Sequence, residues 1–363
     1  MVKKNNIRKQ LGFIDVFTNE SSFLVFILVL FLLAALIYKN TAIAMWFGFA
    51  VAGYSVVAND SIQTIGTFLS SNSHRKWWIL WLYIGGLFVA TIVLSFFLFD
   101  GDISFKRLAT KGFNENPVSF DFLQIAAPIF LIIITRMRMP ISTTFLLLSS
   151  FAVGSGAISK VLMKSLGGYV IAFVVSFVIY ILLSKYFKAK FKGKPQPFWT
   201  VTQWITSGAL WCLWIMQDAA NIAVFLPRKL SYIELMAIIV IILVGLGFLF
   251  YNKGGRIQRV ITTKTDVIDV RPATIIDFIY SLLMAFHLLY STVPMSTTWV
   301  FLGLLGGREI GMNLRKSNHK SLPKTLGIIG KDMLFALIGL AISIIIAYAV
   351  NESVRTEINA WFF

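Results

Sequence analysis

Long apolar runs alternate with short polar loops along the chain, and this alternation predicts helices that cross a bilayer. After a first run at 22–38, apolar segments occupy roughly 42–72, 78–99, 120–137, 141–158, 168–184, 199–226, 232–251, 273–292, 296–307 and 326–349. One crossing needs about 20 residues. The runs 42–72 and 199–226 are longer and polar at their centres, which predicts broken helices. The runs 141–158 and 296–307 are short, and two geometries suit them: a crossing or a re-entrant hairpin.

The polar interruptions repeat. Asn59, Asp60 and Gln63 return 158 positions later as Gln217, Asp218 and Asn221. Pro140-Ile141-Ser142-Thr143-Thr144 returns as Pro294-Met295-Ser296-Thr297-Thr298, 154 positions on, and Asp121-Phe122 returns as Asp277-Phe278, 156 positions on. Three ordered matches at nearly one offset predict an internal duplication.

Composition assigns the class. The chain is 57% hydrophobic and 13% charged, against about 25% charged in soluble proteins, so a polytopic membrane protein in the lipid bilayer is expected. The net charge of +17 does not imply a nucleic-acid partner, because the basic residues sit in short loops where membrane topology places them. The single cysteine, Cys212, excludes an intramolecular disulfide and a cysteine-built metal cluster. If every run crosses once, one face holds more than twice the Lys and Arg of the other. If the Ser-Thr-Thr runs only dip in, the faces nearly balance. The positive-inside rule favours the first arrangement: eleven crossings in the plasma (inner) membrane, N-terminus cytoplasmic and C-terminus outside.

The expected fold is therefore an all-α polytopic membrane protein with two inverted-topology repeats of about five transmembrane segments each, broken helices, and one extra N-terminal helix. The expected divisions are 1–40 (tail and extra helix), 41–187 (first repeat), 188–198 (basic linker), 199–350 (second repeat) and 351–363 (short tail). Five crossings per copy invert the second copy, so equivalent motifs meet near the midplane.

An aspartate near the bilayer centre costs about 2.5–3.5 kcal/mol and calls for a function. Asp60 and Asp218, with the amides of Asn59, Gln63, Gln217 and Asn221, offer oxygen ligands to a hard coupling cation such as sodium. Alternatively an aspartate carries a proton. Each Ser-Thr-Thr follows a proline and reads as a helix start inside the membrane, with free N–H groups and the positive end of the macrodipole. Such an end binds oxyanions, which makes Ser142, Thr143, Thr144, Ser296, Thr297 and Thr298 the substrate-binding candidates. The plainer alternatives are hydroxyl-capped helices and interhelical hydrogen bonds worth about 0.6 kcal/mol each. Asp121 and Asp277 read as acidic residues at helix starts, with their pairing across the repeat leaving a coupling-ion role open. His74 and His319 read as solvated loop residues, and His287 as a hydrogen-bonded helix residue.

With these motifs, over about residues 42–350, the chain resembles the inorganic phosphate transporter (PiT) family, whose two inverted repeats each carry G-x-N-D-x-x-N and a later P-x-S-T-T. The resemblance implies cation-coupled uptake of inorganic phosphate. The chain departs from the pattern at Val57 and Ile215 (for Gly), at Gln63 and Gln217 (for Asn), and at Phe145 and Trp299, where the family often has His. Other readings remain open: another oxyanion such as sulfate, a membrane-embedded enzyme, or a scaffold or regulator that has lost transport. The sequence contains no H-E-x-x-H, G-x-S-x-G or G-x-x-x-x-G-K-[ST] motif, so no enzyme activity and no cofactor beyond the coupling ion is expected. A homodimer stays open.

Overall fold

The structure, a computed structural model, describes residues 20–110, 112–137, 139, 141–252, 269–317 and 321–362. The N-terminal tail before Glu20, Pro140, the basic loop 253–268 and His319 lie outside the described residues. All regular structure among the described residues is helical.

The helices are α1 (Ser21–Ile37), α2 (Thr41–Thr64), α3 (Gly66–Ser71), α4 (Trp77–Leu98), α5 (Phe122–Arg136) and α6 (Ser155–Lys190). They continue with α7 (Pro197–Ala223), α8 (Tyr232–Tyr251), α9 (Val270–Tyr290), α10 (Thr297–Leu314), α11 (Leu322–Val350) and α12 (Glu352–Phe362). Six of them, α2, α4, α6, α8, α9 and α11, are long and apolar enough to cross a membrane, while α1 and α5 are shorter apolar helices. The helix α7 has the length as well, at 27 residues, but Gln203, Gln217, Asp218 and Asn221 dilute its hydropathy.

The two ends of the bundle are defined by loop contacts. At the first end Leu230 N donates to Gly101 O at 3.1 Å, Arg228 N to Asn116 Oδ1 at 2.7 Å, and Ser155 N to Glu357 Oε2 at 2.9 Å. At the second end Arg136 pairs with Glu20 at 2.6 Å, Asn72 Nδ2 donates to Gln203 Oε1 at 3.0 Å, and Arg271 Nη2 donates to Gly193 O at 3.1 Å. Successive long elements therefore run in alternate directions between these ends.

Several boundaries differ from the sequence reading. The run 141–158 is not one helix: it forms a π-helical turn at Thr144–Leu148 and a 3-10 turn at Ser149–Phe151, and α6 then starts at Ser155. Its later part reaches the first end, since Gln124 Nε2, near the start of α5, donates to Ser150 O at 2.9 Å. Ile141 O, by contrast, lies deep in the bundle, where it accepts from Asn59. The helix α6 continues to Lys190, shortening the linker to Phe191–Gln196. The expected C-terminal tail is helical, as α12. The break expected in 42–72 falls at Ile65, between α2 and α3, one turn after Asp60. The break expected in 199–226 does not occur, because α7 keeps its helical hydrogen bonds through Gln217, Asp218 and Asn221 as one continuous helix.

The closest packing is between α6 and α10. A Cβ on Gly303 would stand 2.3 Å from Tyr169 O, and one on Gly307 2.1 Å from Phe173 O. Either would push the backbones apart, so glycine lets them touch, as small residues do in membrane bundles. This contact sets the depth of Ser296, whose N–H donates to Ser165 Oγ on α6 at 2.8 Å.

Candidate functional site

The two halves of the chain meet in a buried polar cluster, and several of its bonds come in matched pairs. Thr143 Oγ1 donates to Asp60 Oδ2 at 2.9 Å; Thr297 Oγ1 donates to Asp218 Oδ2 at 2.5 Å. Thr144 Oγ1 donates to Met295 O and Thr298 Oγ1 to Ile141 O, both at 3.1 Å. Gln63 Nε2 donates to Thr298 Oγ1 at 3.1 Å; Asn221 Nδ2 donates to Thr144 Oγ1 at 3.2 Å and to Thr143 Oγ1 at 3.0 Å. Ser142 Oγ accepts from Phe145 N at 3.1 Å and Ser296 Oγ from Trp299 N at 3.2 Å. Phe145 and Trp299 touch edge to face, with centroids 5.5 Å apart.

Local chemistry explains these positions. Ser296, with extended backbone, caps the N-terminus of α10, the role its residue type predicts. Asp60 lies one turn before the α2–α3 break, and Thr64 Oγ1 folds back onto Asp60 O at 3.0 Å. Asn59 Nδ2 donates to Asp60 Oδ1 at 2.7 Å and to Ile141 O at 3.0 Å, while Thr135 Oγ1 donates to Asn59 Oδ1 at 3.2 Å. Asp60 is 0% exposed and Asp218 1%, so both carboxylates depend on these donors in place of water.

The structure thus brings Asn59, Asp60, Gln63, Asp218, Asn221, Thr143, Thr144, Thr297 and Thr298 into cross-linked contact, with Ser142 and Ser296 as caps beside them. Gln217 is buried but bonded to none of them. Both polar atoms of its side chain, together with Gln63 Oε1, Asn221 Oδ1 and Asp218 Oδ1, lack a hydrogen-bond partner among the described residues. Buried acceptors of this kind are normally satisfied. Four unpartnered oxygens on Gln63, Gln217, Asp218 and Asn221 are chemically suited to a hard cation, which takes oxygen ligands.

Two sequence expectations are corrected. Asp121 is an exposed N-cap in a capping box with Gln124, as expected. Asp277, however, is not at a helix start; it lies two turns inside α9, fully buried, accepting from Thr67 Oγ1 at 2.6 Å and Ser207 Oγ at 2.5 Å. With Asp60 and Asp218 it makes three carboxylates at 1% exposure or less. The helix begins earlier than its apolar run because Asp269 caps it by accepting from Arg271 N at 2.9 Å. His287 is not hydrogen-bonded as expected: Nε2 is buried without a partner.

Sequence reasoning also missed Arg107 and Lys164, which read as loop charges. Arg107 is 2% exposed. Its Nη1 and Lys164 Nζ both donate to Ser291 O, and Lys164 Nζ also donates to Val293 O. Burial pulls the Arg107 guanidinium down to about 10, with the Asp218 charge opposing, so it stays charged at neutral pH. No signal distinguishes Arg107 from its neighbour Lys106 in the sequence.

Searches of family models, curated proteins and solved structures found no match to this chain.

Proposed function

We propose that the chain is a secondary transporter that moves an inorganic oxyanion, phosphate first, across the membrane together with a sodium ion or a proton. The observation that carries this is the reciprocity of the buried cluster. Two bonds between the halves are returned by their counterparts: Thr144 to Met295 O is answered by Thr298 to Ile141 O, and Gln63 to Thr298 by Asn221 to Thr144. The helix directions favour inverted copies: α2 runs from the first end to the second, and α7 from the second to the first. One carboxylate helix is broken, at Ile65, and the other, α7, is continuous. The meeting of two intramembrane carboxylates with two helix starts is nonetheless the kind of arrangement found at midplane transport sites. The resemblance to the inorganic phosphate transporter family adds the substrate class. By the positive-inside rule the second end, with Arg75, Lys76, Arg136 and the 185–194 lysines, faces the cytoplasm.

In this reading Asp60 and Asp218 hold the coupling ion with the unpartnered amide oxygens. Ser142 and Ser296 accept an N–H each, and each hydroxyl keeps a proton to donate to an oxyanion at the adjoining helix start. The four threonine protons are engaged by protein acceptors, so an anion reaches them only when the two copies exchange those bonds. That exchange is the natural element for alternating access. A sulfate-like substrate is the second reading, because Phe145 and Trp299, in edge-to-face contact, stand where the family often has His.

The test is uptake of labelled phosphate and sulfate into proteoliposomes under sodium, potassium and proton gradients. Gradient-dependent phosphate flux is the expected result. Sulfate flux alone selects the second reading, and the absence of flux for every anion and gradient overturns transport.

A further inference from the structure

We propose that Arg107, Lys164 and His287 form a second oxyanion site at the first end of the bundle, built to take a phosphate group. The proposal rests on the transporter reading only for the site's role, capture of substrate on the uptake side.

Three observations point there. Arg107 and Lys164 share the Ser291 carbonyl, so two cationic heads stand close together. Neither is in an ion pair among the described residues. Arg107 Nε and His287 Nε2 are buried and unpartnered. His287 Nε2 faces α6 at Gly168, where a Cβ would stand 3.4 Å away, one turn beyond Lys164.

A structural role explains only part of this. Ser291 follows the C-terminus of α9, and a cation there offsets the negative end of the macrodipole. One cation would suffice, and it would not need an orphaned guanidinium N–H beside it. Arg107 feels the Asp218 charge but forms no ion pair with it. A buried charge without a contacting counter-ion is costly, and carbonyl dipoles neutralise no charge. An oxyanion supplies what the cluster lacks: negative charge and several acceptor oxygens for a guanidinium fork and an ammonium. A cation is excluded by the sign of the groups present.

The location gives the site its use. The extended segment Ser291–Met295 runs from these cations to the Ser296 cap, five residue steps and so at most about 17 Å. Thr110 Oγ1 also donates to Thr292 O, at 3.4 Å. Three successive carbonyls of the segment are therefore held by side chains from the first end. An anion drawn to Arg107 arrives beside the segment that positions the α10 helix start.

The experiment is equilibrium binding of labelled inorganic phosphate to the purified protein in phosphatidylcholine nanodiscs, without sodium. Saturable binding is expected, competed by sulfate and not by equimolar chloride. Arg107→Gln and Lys164→Gln should each weaken it about tenfold or more, and Arg107→Lys should retain most of it. Lys164 is half-buried, so its variant carries the test if Arg107→Gln does not fold. In phosphatidylglycerol discs, loss of this binding by the parent would mean that a lipid phosphate group fills the same site. No saturable sodium-free binding in phosphatidylcholine, or binding unchanged in both charge-removing variants, overturns the proposal. Asp60→Asn separates the two readings. If it removes all phosphate binding, the cluster is no site while transport stands; if the sodium-free binding persists in Asp60→Asn and the parent itself shows no flux, the cluster stands and transport falls.

Discussion

Replacing Thr144 or Thr298 with valine tests the pairing of the two halves most directly. Each hydroxyl donates across to the other half at 3.1 Å and accepts one amide N–H from Asn221 or Gln63. Valine keeps the shape and removes both bonds. In Thr298→Val, Ile141 O still accepts from Asn59 Nδ2 and Gln63 Nε2 still reaches Asp60 Oδ1 at 3.3 Å, so no group is stranded. The cost is then two net hydrogen bonds of about 0.6 kcal/mol each inside a membrane bundle, or about 1.2 kcal/mol. In Thr144→Val, Asn221 Nδ2 keeps Thr143 but Met295 O loses its side-chain donor, so the cost should equal or slightly exceed the first. The two bonds also close one ring between residues 141–144 and 295–298. Breaking either loosens the other, and the double variant should depart from additivity by about 0.5 kcal/mol or more. Reversible unfolding in mixed detergent micelles measures all three variants. A cost above about 1 kcal/mol for one single variant with none for the other would refute the equivalence of the two halves.

Asp60→Asn and Asp218→Asn preserve volume and remove charge; each should abolish cation-dependent uptake in proteoliposomes while the protein still inserts and purifies, and normal coupled flux in either removes that residue from the ion site. Ser142→Ala and Ser296→Ala should each weaken oxyanion affinity about 10- to 150-fold, the equivalent of one hydrogen bond to a charged ligand at about 1.5–3 kcal/mol, as read by uptake titration. Gly307→Ala would drive a methyl into Phe173 O and should cost about 1–3 kcal/mol. Gly306→Ala meets the Phe173 ring at 3.4 Å and Ile329 Cδ1 at 3.8 Å, ordinary contact distances, and should unfold close to the parent in the same detergent titration.

The class of molecule and the members of its polar cluster were legible from residue order alone. Apolar run length is a local property, and it marks the helices because a chain in lipid must satisfy its own backbone hydrogen bonds. The duplicated Asn-Asp and Ser-Thr-Thr elements stood out because polar residues inside such runs are costly, so Asp60, Asp218, Thr143 and Thr297 were visible without knowing their partners. Offset alone misjudged Asp277: it matches Asp121 in register, yet α9 begins two turns earlier, capped by Asp269, and buries it. Tertiary structure alone decided that Thr143 belongs with Asp60 and Thr297 with Asp218. It also decided that Gln217 stays outside the bonded network, and that the 141–158 run unwinds into short turns. Nor could sequence single out Arg107, because a loop cation looks the same whether water or a packed bundle surrounds it. Burial depends on which distant segments fold over a residue, here the Ser291–Val293 carbonyls 184 positions and more away, and that information is not local to any run.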